Sequence, residues 1–485
     1  MTQPDPPPLM FRVATAVALA LLISIIARSA VSWKYWGDLD HNSPGSWLCM
    51  AQDASQGVLY RPLVSNLGYG GTRYAPLFPI IIAAFMHAGF GVVTSGFLAS
   101  LLATAVAVTG LFLLVRRLDV PLELAVAMPV FMLAATCTRT IILGIKGDLL
   151  ATGLTLWGLA MVVRASGKRE SALSLIAGAL FFVLAVAVKI TSIFGIAAVA
   201  IWWVSRKKSR ETASLFLMWL AGIIIAAVLV QAASDGRAST IFHISATGGG
   251  GLARLLQGPR LMFGDMARQD RTLMAIWLIS VFLIAATGRW SSLPSIYLLI
   301  STAGTIVIYG SPGTHLNHLV DMNAASILVI ATLRLKNLKW QSAVLVCTLL
   351  LMCMAAWACW RQLGEIRHND QRGQMLAAVA GTESSSREGP ILSENPLLPM
   401  LQGQRSYMLD PFLFRAIRAR HPEFANQFWH DLAGRRFKAV ILHGPPDDPD
   451  YSSNEYDFGP GFIDRLESQY VQTSVHGNYY VFLPK

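Results

Sequence analysis

Acidic residues are scarce in this 485-residue chain: 28 Asp and Glu stand against 39 Lys and Arg. Charged residues of both signs make up 14%, where a soluble globular protein carries about a quarter, and 54% of the chain is hydrophobic. Between Asp148 and Asp235 the only acids are Glu170 and Glu211. So little charge cannot cover a water-facing surface, and the chain reads as a polytopic helical membrane protein. Cysteine is sparse too. Cys137, Cys347, Cys353 and Cys359 lie in apolar segments and Cys49 stands alone in a polar one. No CxxC pair or Cys/His cluster with metal spacing occurs, which argues against a zinc module and a disulfide framework. There is no Walker-type GxxxxGK[ST], and the run Gly248 to Gly251 does not join a strand to a helix, so a nucleotide cradle has no support. The net charge of +11 does not indicate nucleic acid, because the cations fall in short clusters between apolar segments, as the positive-inside rule produces.

Those clusters set the expected topology. Residues 1–9 are Pro-rich and expected to be disordered. The apolar segment 10–31 has the length and small-residue end of a signal peptide, but the many spans that follow favour an uncleaved anchor. Segment 75–90 is short and is expected to stay on the outer side. If Arg116 and Arg117 are cytoplasmic, the later segments alternate: 93–115, 121–142, 149–163, 171–188, 190–204, 213–232, 273–288, 293–309, 320–333 and 341–360. With 10–31 these make eleven expected spans, N-terminus inside and C-terminus outside. Several are near the short limit of about 17 residues. The transmembrane domain would cover 10–360, with an outer first loop at 32–92. Charge, Pro and Asn return at 361–485, where strand-like runs at 389–393, 437–442 and 479–483 and helical stretches at 411–420 and 425–434 predict a small C-terminal α/β domain on the extracytoplasmic face. The acidic loop 447–460 lacks EF-hand spacing and is not expected to bind calcium.

The stretch from Trp36 to Pro79 is the polar exception among the apolar segments. It carries Asp38, Asp40, Asp53, Arg61 and Arg73, with Trp36, Trp47, Tyr60, Tyr69 and Tyr74 interleaved. A disordered linker would not hold so many aromatics, so an ordered loop on the membrane surface is expected. The alternating topology gathers further polar groups on the same side: Lys146 and Asp148, Lys189, the 233–272 loop with His243, Arg254, Arg260, Asp265 and Arg268, and the turn with His315, Asn317, His318 and Asp321. Ionisable groups at membrane depth are costly and usually mark a functional cavity. A carboxylate there can act as general base and cations can stabilise a phosphate leaving group. That sum fits sugar transfer from a polyprenyl-phosphate donor, and equally permits a transporter or a lipid-linked-sugar flippase.

Several short patterns sharpen this. They are Ala51, Gly57 and Tyr60 in an A-x-x-x-x-x-G-x-x-Y arrangement; Tyr74-Ala75-Pro76-Leu77; Lys146-Gly147-Asp148-Leu149-Leu150-Ala151; Lys189-Ile190-Thr191; and Gly313 to Asn317 before Asp321. In their order the chain resembles the GT-C class of membrane glycosyltransferases, which includes protein O-mannosyltransferases and lipid A aminoarabinose transferases, and most of all the RgtA/B/C/D-like branch. The chain departs from that branch where one proline of a Pro-Pro-Leu is missing and where Ser43 stands at the spacing of the family's acid. The resemblance implies a GT-C-like fold, a polyprenyl-phosphate-linked sugar as donor, a glycan, lipid or protein acceptor, and a first-loop Asp as general base. Asp40 is the first candidate and Asp38 the second, with Asp148 orienting the acceptor or helping to bind a divalent metal. Arg73, Tyr74, Lys189, Tyr60, Arg61, Asn317 and His318 are the candidate substrate-binding residues. A divalent metal is left open. The bland alternatives are helix capping for the three acids, snorkelling to the interface for Lys189 and lipid anchoring for Arg73.

Overall fold

Long apolar helices dominate the chain because a membrane leaves every backbone polar group to be satisfied within its own segment. A computed structural model describes residues 8–39, 42–165, 172–246, 252–385, 387–446 and 458–485. In chain order the first elements are α1 (Pro8–Tyr35), α2 (Asn42–Ser55), β1 (Val64–Ser65), β2 (Gly68–Tyr69), α3 (Leu77–His87), α4 (Val92–Arg117), α5 (Leu122–Ala134), α6 (Thr136–Arg139), α7 (Asp148–Ala165), α8 (Ala172–Val188), α9 (Phe194–Val204) and α10 (Ser209–Ala233). They are followed by α11 (Arg237–Ala246), α12 (Leu252–Gln269), α13 (Arg271–Thr287), α14 (Leu293–Tyr309), α15 (Val320–Thr332) and α16 (Leu338–His368). Each segment expected to span contains a helix, although 121–142 and 190–204 are helical only in part. Four helices among the described residues are long and apolar enough to cross a membrane by themselves: Arg12–Tyr35, Val92–Arg117, Ser209–Ala233 and Lys339–Ser384. The others are mostly shorter or bent.

Helix α7 lies at the centre, packed along α4 and α8 and touching α9 and α15. Its contact with α4 depends on small residues. A Cβ on Gly153 would sit 2.7 Å from the Ala107 nitrogen, and one on Gly110 would sit 2.9 Å from the Gly153 oxygen. Backbones can come this close only where side chains are absent, the usual way helices associate in lipid.

Two expectations change. The segment 121–142 does not continue as one helix. It carries Pro129, breaks at Ala135 in an extended conformation and resumes as the short α6. The loop expected at 233–272 is instead largely helical, as α11 and α12, and α12 bends by 119° into α13. One carboxylate explains both breaks. Asp270 Oδ1 accepts the Leu273 N–H at 3.1 Å, capping α13, and Oδ2 accepts the Cys137 N–H at 2.7 Å. Sequence periodicity does not reveal that an acid serves two distant helix ends.

After α16 come α17 (Gln371–Gly381), β3 (Ile391–Ser393), α18 (Leu397–Leu401), α19 (Pro411–Arg418), α20 (Asn426–Ala433) and β4 (Ala439–His443), then the helix Phe462–Gln469, β5 (Tyr470–His476) and β6 (Tyr479–Pro484). The sheet order is β3-β4-β6-β5, with β3 and β4 parallel and the other pairs antiparallel. The expected strands and helices of this segment are therefore present, although residue 361 falls inside α16. The segment is joined to the first loop. Tyr69 bridges to Met408, its N–H donates to Tyr407 O at 2.7 Å, and its ring lies in the aromatic core formed by Phe414, Phe428 and Phe437.

Candidate active site

The turn before α7 is strained. Ile145 is β-branched and fully buried, yet has φ 47°. Such outliers persist where the surroundings overdetermine them, and they cluster at functional sites. Three residues later Asp148 opens α7. Its Oδ1 accepts from Lys189 Nζ at 2.5 Å and from Asn317 Nδ2 at 2.9 Å. Lys189 stands where the chain leaves α8, and Asn317 lies on a 3-10 turn, Leu316–Leu319, between α14 and α15. Three segments far apart in sequence thus converge on one carboxylate. The Lys189 side chain keeps 20% exposure and that of Asp148 7%, so the cation reaches the open side.

His318 shares that turn. Desolvation, helped by Lys189, Arg73 and Lys146 against the pull of Asp148, holds its imidazole well below the usual histidine range, so the ring is neutral. Its Nδ1 is buried without a hydrogen-bond partner among the described residues. Deeper in the bundle Asp321 accepts from the Tyr297 hydroxyl at 2.6 Å.

The first loop supplies the opposite wall. Tyr74 stacks on Trp47 with ring centroids 4.2 Å apart, and Trp47 meets Phe78 edge-on at 5.3 Å. Arg73 beside it keeps 31% of its side chain exposed. Its guanidinium lies 4.1 Å from the Phe412 ring and 5.6 Å from the Tyr74 ring, and its Nε lies 3.5 Å from Asp410 Oδ2. Burial pushes the Asp410 carboxyl above the usual carboxylate range, against the pull of Arg73.

Other expected site residues are placed in the scaffold. Arg61 has no exposed surface. It grips Asp53 through two bonds of 2.6 and 3.0 Å and donates to Ser406 O at 2.7 Å, while Arg405 reaches Asp53 from the other segment at 3.0 Å. Tyr60 is buried and donates its hydroxyl to Tyr74 O at 2.9 Å. Both hold the loop's shape, because a buried arginine takes the nearest carboxylate and carbonyls. Asp38 is engaged as well: Arg28 donates to its two oxygens at 2.6 and 3.1 Å, and Ser32 donates at 2.5 Å. Asp40 lies outside the described residues. Lys189, Asn317, His318, Asp148, Arg73 and Tyr74 are brought together.

Sequence reasoning missed Asp410, Phe412 and the stacking role of Trp47. The Asp-Pro start of α19 is a visible helix-start signal, but nothing local aims it at Arg73. Asp148 Oδ1 is shared by Lys189 and Asn317, and among the described residues, which do not include Asp40, no group of three or more His, Cys, Asp or Glu side chains is placed to hold an ion.

No protein-family model matches the sequence, and no curated protein is similar to it. Solved structures are similar in fold. ArnT from Cupriavidus metallidurans bound to undecaprenyl phosphate superposes with a TM-score of 0.58 at 12% identity, over 95% of this chain and 97% of that one. Its apo state gives 0.55 at 12% identity over the same shares. The Archaeoglobus fulgidus oligosaccharyltransferase in complex with Zn and sulfate gives 0.52 at 12% identity, over 93% of this chain and 71% of that one. The fold of this chain is therefore the GT-C fold that these glycosyltransferases share.

Proposed function

We propose that the protein is a membrane glycosyltransferase of inverting type, moving a sugar from a polyprenyl-phosphate donor to a cell-envelope acceptor on the extracytoplasmic face. The observation that carries this reading is the convergence of Lys189 and Asn317 on Asp148, with His318 on the same turn as Asn317 and Arg73 packed against that turn at Gly313, in the fold that ArnT displays with undecaprenyl phosphate bound. A cationic rim beside stacked aromatics suits a phosphate on one side and a sugar face on the other.

In the proposed step a first-loop carboxylate takes the proton of the acceptor hydroxyl. The freed oxygen attacks the anomeric carbon, the bond from that carbon to the phosphate oxygen breaks, and its electron pair leaves with the polyprenyl phosphate. Arg73 and Lys189 stabilise the charge that develops there. Asp40 is the proposed base. Asp38, whose oxygens already serve Arg28 and Ser32, supports the start of the loop. Asp148 orients Lys189 and Asn317 toward the reacting groups.

The test is transfer of radiolabelled sugar from a panel of polyprenyl-phosphate donors into membrane extracts by the wild type, Asp38→Asn, Asp40→Asn and Asp148→Asn at equal expression. Loss of a general base is expected to cost about 10²–10⁴-fold in rate, and Asp40→Asn should show it. Full transfer by all three variants would sink the assignment of the base.

A further inference from the structure

Arg73 is fixed in place by a segment that lies far from it in the chain. Asp410 caps α19, its Oδ1 accepting the Leu413 N–H at 3.1 Å, and this leaves Oδ2 facing Arg73 Nε at 3.5 Å. Two residues on, the Phe412 ring lies 4.1 Å from the Arg73 guanidinium carbon and 5.3 Å from that of Arg415. The turn that carries Asn317 and His318 closes on the same point. Gly313 there has φ 74°, and a Cβ on it would sit 2.8 Å from Phe412 Cζ and 2.9 Å from Arg73 Nη1. The first loop, the turn after α14 and the C-terminal segment therefore meet with no room for one more carbon.

We propose that Asp410 and Phe412 are positioning residues for the donor's phosphate, fixing the Arg73 guanidinium at the mouth of the site, so that the C-terminal segment is part of the donor site. An arginine side chain carries large rotamer entropy, and its planar fork binds an anion well only when its direction is set beforehand. Stacking on Phe412 sets the plane of the fork. The Asp410 carboxylate, 3.5 Å from Nε, draws that side of the guanidinium toward α19 while 31% of the side chain stays exposed. The inference rests on the glycosyltransferase reading.

The test uses the full chain in detergent or lipid discs and compares Asp410→Asn, Phe412→Leu, Arg73→Ala and the two double variants with Arg73→Ala. Asn retains the capping ability of Asp, and thermal unfolding checks that each variant folds. Two quantities are read: KM against kcat for the polyprenyl-phosphate sugar, and binding of undecaprenyl monophosphate alone. Asp410→Asn and Phe412→Leu should each raise KM about three- to tenfold with kcat nearly unchanged, and weaken monophosphate binding to match. On the Arg73→Ala background neither should add to the loss, since both act through Arg73. An unchanged KM, effects that add to Arg73→Ala, or a KM that falls in Asp410→Asn because the carboxylate competes with phosphate would each overturn the positioning role. If Arg73→Ala raises KM while the other two do not, this inference falls and the glycosyltransferase reading stands. If the wild type neither transfers sugar nor binds the monophosphate, that reading falls and this one with it.

Discussion

Lys189 and Asp148 form one ion pair, yet its two halves are unequally buried, and this sets what each substitution does. Lys189→Met strands a carboxylate that is almost fully enclosed and, among the described residues, keeps the side-chain hydrogen bond from Asn317. The expected cost is about 3–5 kcal/mol. Asp148→Asn leaves an ammonium that can turn toward water, and about 1–2 kcal/mol is expected. Thermal unfolding in one detergent should rank Lys189→Met clearly below Asp148→Asn; equal melting points would contradict the burial difference. His318 gives a pH dependence. Its folded pKa lies below the free value of about 6.5, so between those two values the unfolded chain holds a proton that the folded chain does not. Stability is therefore full above pH 6.5 and falls as the pH drops toward the folded pKa. The melting temperature of the wild type should decline from pH 7 to pH 5 more steeply than that of His318→Gln, and parallel curves would remove this residue from the acid response.

Among the elements, the first loop is the one that joins two layers. Its hairpin is inserted into the C-terminal aromatic core through Tyr69, whose hydroxyl donates to Phe424 O at 2.9 Å and accepts from the Phe428 N–H at 3.0 Å. The buried pair of Arg61 and Asp53 rivets the same two segments together. Arg61→Met should cost about 3–5 kcal/mol, since it leaves Asp53 buried with Arg405 alone. Limited proteolysis should then cut the stretch 56–70 faster than in the wild type, and an unchanged cleavage rate would show that Tyr69 alone holds the loop. The pairing was half legible. Acid and base eight residues apart in an aromatic-rich loop stand out, but their complete burial depends on the carbonyls of a segment at 405–408.

The whole molecule is a helical bundle capped by a small mixed sheet, and the candidate site lies where Arg73 of the first loop meets Phe412 and Gly313. Helices of 10–17 residues such as α9 and α14 fit this arrangement. A helix that ends early leaves backbone groups and side chains such as Lys189 beside polar partners from other helices, and non-helical backbone at such depth is tolerated where it is buried in protein or lines polar space. The positioning role proposed for Asp410 and Phe412 belongs to this scale, because it requires the cap to be seated on the bundle.

By itself the sequence determined the membrane class, the place of most apolar helices and three of the four strands of the C-terminal segment, Tyr470–His476 being the one it missed. These follow from local periodicity and charge, which a chain carries wherever it folds. It also marked Asp148, Lys189, Asn317, His318 and Arg73, because ionisable groups beside apolar helices are rare and expensive. Only the tertiary structure decided which charged residues are sealed into the scaffold and which stay partly exposed. Arg61 and Arg73 look alike along the chain. One is sealed against Asp53, and the other keeps 31% of its side chain exposed between Phe412 and Tyr74. The difference lies in burial, which is set by what packs on each side chain from hundreds of residues away.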